Sequence, residues 1–311
     1  MDGVLSVDKP AGVTSHDVVD RVRRVFGQRK VGHAGTLDPM ATGVLVVCLG
    51  KATRILEFLS KDVKEYLCGI AIGVSTDTED AEGVVLEEAD ASALTLEDLE
   101  RASAQFVGEI EQRPPMYSAV KHQGKRLYEL ARAGRVVERP ARTVVVTEIV
   151  VESMVPGVVA CADMLVRCGS GTYIRTLCVD IGKALGYPAH MASLRRTRVG
   201  SFELDGALSL DELERCADHD LLEGSLVSID EAISEMPAVA VDDAGARMIA
   251  HGMSVKAGAG TAVEGVPVKI VSGAGALLAI GSIDTAPDEP GSNQGRFSCP
   301  ATETSLLSFR A

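Results

Sequence analysis

The 311-residue sequence predicts an α+β fold, in which a sheet packs against helices. Strand-like and helix-like segments interleave without the regular spacing of strand–helix–strand units, which disfavours a parallel Rossmann-type sheet. The segment 44–49 is a continuous apolar run typical of a buried strand. Near Pro237 the composition changes, and short Gly- and Val-rich strands dominate beyond it. We therefore expect two domains, 1–235 and 236–311.

Capping residues and apolar periodicity define the predicted elements. Thr14 or Ser15 can cap a first helix, and Thr95 with Asp98 three residues later forms a capping-box pattern for another. Three further helices are short or end at a glycine: 53–59, 127–133 and 173–185. The strands are predicted from alternation and apolar runs at 44–49, 66–74, 143–151, 158–168, 191–202, 238–241, 268–271 and 277–283.

Composition indicates a globular chain without a membrane segment. Hydrophobic residues make up 46% and charged residues 24%, and no window approaches 18 uninterrupted apolar residues. Acidic residues stand at the N-terminus, where a secretory signal would carry basic ones. The seven cysteines include no CxxC pair, and the six histidines show no HxxxH or HxH spacing, so we expect reduced core cysteines and no zinc site. These observations predict a cytoplasmic protein.

The charge is distributed unevenly along the chain. The net charge is −13, which argues against nucleic acid, but segments 111–143 and 166–200 each carry +5. The acidic residues concentrate in 61–110, at −10, and 201–311, at −12. A positive groove on an acidic body is compatible with RNA binding, although charge runs are usually solvated faces.

Residues 32–45 read GHAGTLDPMATGVL and hold one carboxylate, Asp38, between Gly35 and Gly43. A rigid, close-turning loop before a buried strand could present a single acid for chemistry. An Asp-Pro pair in a glycine-rich loop more often only turns the backbone, and the spacing alone favours a turn.

The 32–45 segment is similar to the signature of the TruB family, the tRNA pseudouridine-55 synthases. Five further segments resemble motifs of that family in the same order. They span about residues 3–200 together: 9–12 (KPAG), 64–66 (KEY) followed by 76–78 (TDT), 114–121 (PPMYSAVK), 171–175 (GTYIR) and 194–197 (LRRT). Several long motifs in one order are far more specific than any single glycine pattern.

The resemblance implies a fold, an activity and a partner. The implied fold is a mixed, mainly antiparallel sheet flanked by helices, with a thumb-like RNA-binding insertion at 114–143 and a small PUA-like β-barrel over 236–311. The implied enzyme isomerises uridine 55 in the T loop of tRNA by base flipping and carboxylate-assisted cleavage and re-formation of the glycosidic bond. It needs no cofactor and no metal. The implied partner is the T arm stem-loop; we expect a monomer without a membrane or an obligate protein partner.

Residue by residue, the resemblance makes Asp38 the catalytic carboxylate, Arg175 its cationic partner and Tyr66 the active-site tyrosine. A desolvated carboxylate needs such a cation to stay ionised. Taken without the resemblance, Arg175 would be a helix-surface arginine and Tyr66 a core tyrosine of a strand.

The resemblance also implies residues that bind the substrate. Leu194 would wall the uracil pocket, His33 would lie beside the flipped nucleotide, and Lys9 would brace the active-site loop. On residue type alone, these are a core leucine, a structural histidine and a surface lysine. The basic side chains of the thumb-like insertion would contact phosphates: Lys121, Lys125, Arg126 and Arg132.

Three other functions fit parts of the sequence. An RNA-binding or tRNA-folding chaperone would need the basic segments but no catalytic residues. A guide-dependent relative that modifies ribosomal RNA would share the core motifs, although the 114–143 segment favours a stand-alone tRNA enzyme. A nucleotide-dependent enzyme is disfavoured, because Gly50-Lys51 lacks the upstream glycine and following hydroxyl residue of a phosphate-binding loop.

Overall fold

The structure, a computed structural model, describes residues 1–118, 120–135, 137–218, 221–253, 255–256, 265–284 and 296–298. Some side chains within these ranges lie outside the described part of the molecule, among them those of Lys121, Arg126 and Arg132. The chain divides into two compact units, essentially Gly3–Leu226 and Val227–Ala311. No helix of the described residues is long and apolar enough to cross a membrane.

Fourteen strands lie in the described part of the first unit. They are β1 (Gly3–Lys9), β2 (Val31–Ala34), β3 (Thr42–Leu49), β4 (Lys64–Ile72), β5 (Val74–Thr76), β6 (Val85–Glu88), β7 (Gly108–Gln112), β8 (Lys121–His122), β9 (Lys125–Arg126), β10 (Arg142–Val155), β11 (Ala160–Cys168), β12 (Ala189–Val199), β13 (Phe202–Glu203) and β14 (Leu208–Ser209).

The helices of this unit begin and end at sequence signals. Thr14 caps the first helix in a capping box with Asp17, and Thr95 does the same with Asp98. Gly186, at φ +81°, ends the helix that carries Arg175. The helices are α1 (Ser15–Val25), α2 (Leu56–Leu59), α3 (Leu96–Ser103), α4 (Leu127–Arg132), α5 (Ile174–Leu185) and α6 (Leu210–Asp218), with a 3-10 helix over Gly50–Ile55 before α2.

Ten of the strands form one mixed sheet. Its order is β14-β1-β3-β12-β4-β11-β10-β7, with β2 paired to β3 and β13 paired to β12. Two pairs are parallel, β1 with β14 and β3 with β12, and the others are antiparallel. The prediction of an α+β fold with a mixed sheet flanked by helices is confirmed.

Two apolar clusters pack the helices against the sheet. One joins β4, β11 and β12 to α3 and α5, and it includes Tyr66 and Leu194. The other joins β1 and β3 to α1 and α6. The first cluster also contains Leu37 and Ala41 from the loop between β2 and β3, and Ile174 at the start of α5, so it brings residues 38, 66 and 175 into one region.

The second unit is a smaller α+β assembly. It comprises α7 (Ile229–Ala232), β15 (Ala238–Val241), α8 (Asp243–Ala250), β16 (Val255–Lys256), β17 (Pro267–Ser272), β18 (Leu277–Asp284) and β19 (Arg296–Ser298). Its sheet has the order β15-β17-β18-β19-β16. The described residues show an open order rather than a closed barrel, so the predicted PUA-like barrel is not confirmed. Only the β-rich character of the C-terminal region is confirmed.

Several elements were not predicted. β1, β2, β7, α6 and α8 are absent from the sequence-based assignment, and the predicted strand 191–202 ends at residue 199. The missed strand β2 is only four residues long and lies inside the glycine-rich motif, where a loop was expected. Pairing with β3 stabilises it, so tertiary contacts decide its conformation.

Candidate active site

Asp38 lies in the loop between β2 and β3, which pair as an antiparallel hairpin. Gly35 (φ +85°) and Gly43 (φ +99°) flank the loop in a backbone region that favours glycine. Ser15 of α1 fixes the loop backbone, because its hydroxyl donates to the Leu37 carbonyl at 3.0 Å and accepts from the Leu37 amide at 2.9 Å. The Asp38 side chain remains 33% exposed. A fixed carboxylate with one open side results.

Arg175 clamps this carboxylate with two nitrogens. Its Nε lies 2.9 Å from Asp38 Oδ2, and its Nη2 donates to Asp38 Oδ1 at 3.1 Å. Arg175 is the second residue of α5, and its side chain is only 5% exposed. The two parallel bonds fix the plane of the carboxylate as well as its position. Arg175 is thus a buried partner of Asp38 and not a helix-surface arginine.

A second carboxylate holds Arg175 from the other side. Arg175 Nη1 donates to the Thr78 carbonyl at 3.0 Å and lies 3.5 Å from Asp80 Oδ2. Asp80 is itself buried, and its Oδ1 accepts from Thr78 Oγ1 at 2.5 Å and from the Glu82 amide at 3.1 Å. The arginine is therefore shared between Asp38 and Asp80. Sequence reasoning assigned no role to Asp80, although it lies two residues after the TDT segment.

Burial and neighbouring charges act in opposite directions on the protonation of Asp38. Burial raises the pKa of Asp38 above its ordinary value, the Arg175 guanidinium opposes that rise, and the Asp80 carboxylate adds to it. Burial disfavours the charged form, and a nearby cation restores it. The Asp38 charge thus depends on the arginine clamp.

Lys9 braces the loop from inside the protein. Its side chain is fully buried, and Nζ donates to the carbonyls of Pro10 at 2.8 Å, Val13 at 2.7 Å and Pro39 at 3.1 Å. The Pro39 carbonyl belongs to the residue after Asp38. Burial lowers the pKa of Lys9 to about 8, and the Asp38 charge opposes that shift. Lys9 is a buried brace of the loop and not a surface lysine.

Tyr66 and Leu194 face the same side of the sheet. Tyr66 on β4 is 8% exposed, Leu194 on β12 is equally buried, and both belong to one cluster with Leu37 and Ala41 of the Asp38 loop. Burial raises the pKa of the Tyr66 phenol. Leu194 also lines a cavity of about 500 Å³. Its other walls are Met40, Thr42, Leu67, Cys68, Gly69, Glu152, Asp163, Ala192, Ser193 and Arg195.

His33 lies on β2, opposite Val47 of β3. Its Nδ1 is buried and has no hydrogen-bond partner among the residues that the structure describes. Burial and the charge of Arg196 lower the pKa of His33, so the neutral ring is favoured. A neutral imidazole has one donor and one acceptor nitrogen, and the half-buried His33 ring keeps part of its surface open.

The thumb-like segment reaches the catalytic centre through its backbone. Arg175 Nη2 donates to the Tyr117 carbonyl at 2.9 Å, and Arg139 Nη1 donates to the Pro114 carbonyl at 3.0 Å, which closes the base of the segment. β8 and β9 form a hairpin in which Lys125 is exposed. The side chains of Lys121, Arg126 and Arg132 lie outside the described residues. Their proposed phosphate contacts therefore stay predictions.

The site contains no arrangement typical of a metal centre. Among the described residues, no group of three or more His, Cys, Asp or Glu side chains could hold a metal ion. The chemistry available from the side chains present is that of a fixed carboxylate, a buried guanidinium and a buried phenol. Such a set can attack or stabilise an electron-poor carbon and move a proton.

Comparisons with known proteins identify the family of this chain. A family model described as TruB family pseudouridylate synthase (N terminal domain) matches residues 23–174, and one described as tRNA pseudouridylate synthase B C-terminal domain matches 175–234. The tRNA pseudouridine synthase B of Pelotomaculum thermopropionicum is 47% identical over 254 residues, covering 81% of this chain and 80% of that protein. The one from Bacillus anthracis is 44% identical over 260 residues, covering 82% and 85%.

Solved structures share the fold. A Cbf5-Nop10-Gar1 complex contains a chain that superposes with a TM-score of 0.70 at 30% identity, covering 90% of this chain and 78% of that one. An H/ACA RNP bound to a substrate RNA containing 2′-deoxyuridine gives 0.69 at 28%, covering 90% and 77%. The fold and the clamped carboxylate thus define a pseudouridine synthase. More narrowly, the family models and the 44–47% identities show that the chain belongs to the TruB family of pseudouridylate synthases.

Proposed function

We propose that this protein converts uridine 55 in the T loop of tRNA to pseudouridine. The observation that carries the proposal is the two-bond pairing of Asp38 with the buried Arg175 on a chain of the TruB family. Relatives that are 44–47% identical over most of their length are named tRNA pseudouridine synthase B, which supports tRNA as the substrate.

The reaction is a balanced isomerisation. The bond between uracil N1 and ribose C1′ breaks, the base turns, and a bond from C5 to C1′ forms; C5 loses a proton and N1 gains one. Asp38 supplies the carboxylate that adds to the sugar or the base during this exchange. Arg175 keeps that carboxylate ionised and oriented. Tyr66 stacks on the base, and its phenol is placed to handle the C5 proton.

The substrate must deliver its base out of the loop. Extrusion costs a few kcal/mol of lost stacking, and contacts to the opened loop must offset that cost. We propose that His33 lies beside the flipped nucleotide, that Leu194 walls the uracil pocket and that Lys9 supports the Asp38 loop. Lys125, with Lys121, Arg126 and Arg132, contacts phosphates of the T arm. Recognition then rests on the shape of the RNA and on the extruded uridine.

Domain roles and cellular setting complete the proposal. Residues 1–235 act as the catalytic domain, with 114–143 as its RNA-clamping insertion. Residues 236–311 act as a PUA-like RNA-binding domain, which the β-rich sheet of the second unit supports. The enzyme acts as a monomer in the cytoplasm without a protein partner. Sedimentation of the free protein and of its RNA complex tests the monomer.

The two competing functions make different predictions. A chaperone has no use for a desolvated carboxylate, whose burial costs free energy, next to a tyrosine. The identity to the chains of the Cbf5-Nop10-Gar1 complex and of the H/ACA RNP is 30% and 28%, below the 44–47% to the relatives named tRNA pseudouridine synthase B. Both comparisons favour a stand-alone tRNA enzyme.

The direct test is to incubate purified protein with a T-arm stem-loop transcript and to map pseudouridine at single-nucleotide resolution. We expect modification at position 55 alone, without added guide RNA, metal or cofactor. A transcript with cytidine at position 55 is the matched control. Binding without modification would favour a chaperone, and modification that requires a guide RNA would favour the ribosomal-type enzyme; either result would overturn the proposal.

A further inference from the structure

Arg196 is the largest fully buried side chain of the described residues that carries a charge. It lies on β12 with 1% of its surface exposed. Across the sheet it is in register with Tyr66 on β4, and on the other side with Gly43 on β3. Directly opposed residues of neighbouring strands have Cβ atoms about 4.5–5.5 Å apart, close enough for their side chains to interact. Arg196 therefore stands between the tyrosine and the loop of the carboxylate.

The guanidinium of Arg196 holds both ends of the Asp38 loop. Its Nε donates to the Val44 carbonyl at 2.7 Å, and its Nη2 donates to the Gly35 carbonyl at 3.1 Å. Gly35 precedes the loop and Val44 follows it. The backbone also approaches closely, because a Cβ on Gly43 would lie 2.1 Å from the Arg196 carbonyl oxygen. One side chain thus fixes the span from which Asp38 projects.

The charge of Arg196 has no carboxylate partner in an ion pair among the described residues. A buried charge is costly, and arginines that only support a fold are normally paired with an acid. The Arg196 charge lowers the pKa of His33 and of Lys64, and it opposes the rise that burial causes in the pKa of Tyr66. The charge of Arg196 therefore acts electrostatically on His33 and Tyr66, two residues of the candidate site.

We propose that Arg196 is a positioning residue for the isomerisation, which sets the distance between the Asp38 carboxylate and the Tyr66 ring by tying both ends of the Asp38 loop to the strand beside Tyr66. This inference rests on the proposed function. In this role Arg196 acts on the reaction through the backbone of the Asp38 loop, to which it donates its hydrogen bonds. Misplacement of a reacting group by about 1 Å can cost 10²-fold in rate, so loss of this tie should slow the chemistry and spare RNA binding.

The test compares Arg196→Gln and Arg196→Lys with Arg198→Gln. Arg198 is the matched control. It lies two residues further along β12, is half-exposed and stands opposite Glu203 in the register of β12 and β13. For each variant we would measure RNA affinity, the fraction of protein that binds RNA, and the single-turnover rate of saturated RNA against pH. We expect about 10²-fold slower turnover for Arg196→Gln and about 10-fold for Arg196→Lys. Lysine keeps the positive charge but has a single nitrogen donor, whereas the guanidinium donates from two nitrogens to two carbonyls.

Three features separate positioning from mere folding. RNA affinity should stay within about threefold, the RNA-binding fraction should stay near that of the unaltered protein, and the plateau rate should fall without a shift of the acid limb. Arg198→Gln should turn over within about twofold. If Arg196→Gln does not fold, Arg196→Lys carries the test. Full turnover by the folded variant, or a rate loss that matches a loss of binding-competent protein, would overturn the inference, whereas an inactive unaltered protein would overturn the proposed function itself.

Discussion

At the scale of single residues, the site depends on one arginine shared by two carboxylates. Arg175 neutralises Asp38 through two bonds and also contacts Asp80, so the Asp80 charge bears on the protonation of Asp38. The pKa of Asp38 is raised by burial, lowered by Arg175 and raised by Asp80. In the proposed mechanism the ionised form of Asp38 reacts, so the acid limb of the rate should report this balance.

Arg175→Gln and Asp80→Asn should shift that acid limb in opposite directions. Loss of Arg175 leaves burial unopposed, so the pKa of Asp38 rises and the limb moves to higher pH. Loss of the Asp80 charge removes an influence that raises the pKa, so the limb moves to lower pH, while the less firmly held arginine slows the plateau. Single-turnover rates of saturated RNA between about pH 4 and 9 measure both limbs.

Arg167→Gln is the control for this pair. Arg167 bonds Glu65 and Glu148 on β4 and β10, and its side chain is 41% exposed. Its removal should leave the acid limb in place. Shifts of Arg175→Gln and Asp80→Asn in the same direction would show that Asp80 does not act on Asp38 through charge.

Tyr66→Phe and Tyr66→Leu separate stacking from proton handling. Stacking of a base on an aromatic ring is worth about 1–3 kcal/mol, and phenylalanine keeps it. We expect Tyr66→Phe to bind RNA normally but to fail in turnover, and Tyr66→Leu to lose base binding as well. Wild-type kinetics in both variants would reduce Tyr66 to a core residue of β4.

At the scale of elements, the loop between β2 and β3 is a rigid support for Asp38. Ser15, Lys9 and Arg196 each bond its backbone from a different element. Gly43 permits the close approach of β3 to β12, since any side chain there would overlap the Arg196 backbone. The loop is therefore packed like a core segment, although its sequence is that of a turn.

Gly43→Ala should destabilise the protein by about 3 kcal/mol or more, since it combines left-handed backbone strain with a steric overlap. Gly186→Ala is the control, because Gly186 has a similar φ of +81° but open space around it. It should cost about 1–2 kcal/mol, the strain alone. Urea unfolding of both variants measures the difference. Equal losses would show that β3 and β12 can separate at little cost.

The sequence predicted those elements whose signals are local. Thr14 and Thr95 cap α1 and α3 in capping boxes, and Gly186 ends α5, so these helix boundaries could be predicted. β1 and β2 were missed because pairing with β3, rather than their own composition, makes them strands. α6 was missed although Ser209 and Glu212 form a capping pattern before it.

For the site, the motif resemblance supplied the residues and the structure supplied their contacts. Arg196 belongs to the LRRT segment, but the resemblance predicted a role only for Leu194. The alternation of a strand gives a usable signal here, because Leu194 and Arg196 are two residues apart and so share the buried face. An arginine at an inward position of a strand is unusual enough to mark a functional position. Asp80 stands two residues after the TDT segment, but that position alone does not reveal its contact with Arg175, which is 95 residues away in the sequence.

At the scale of the whole molecule, positive and negative charges concentrate in different segments of the chain. The net charge is −13, yet 111–143 and 166–200 each carry +5. Binding of RNA should therefore be local and electrostatic. If about 4–6 phosphates are neutralised, a plot of log K against log salt should slope at about −3 to −5.

Reversal of Lys125 and Arg126 to glutamate should flatten that slope and weaken binding, while the reaction of fully bound RNA changes less. Neutralising acidic residues in 201–235, such as Asp211 and Glu231, is the control and should change the slope little. Filter binding over a range of salt concentrations measures both. An unchanged affinity and slope in the double reversal would show that 114–143 is not an RNA clamp. That result would leave the assignment to the pseudouridine synthases unaffected.

The most direct measurement compares the unaltered protein with Asp38→Asn on one T-arm RNA. Asparagine is nearly isosteric and retains a hydrogen-bond acceptor for Arg175, but it is a far weaker nucleophile and base than the carboxylate. We predict that Asp38→Asn binds the RNA with an affinity within a few-fold of the unaltered protein and forms no pseudouridine at position 55, even at an excess of enzyme over RNA. Appreciable turnover by Asp38→Asn would contradict the account, and joint loss of binding and turnover would make Asp38 a structural residue of its loop.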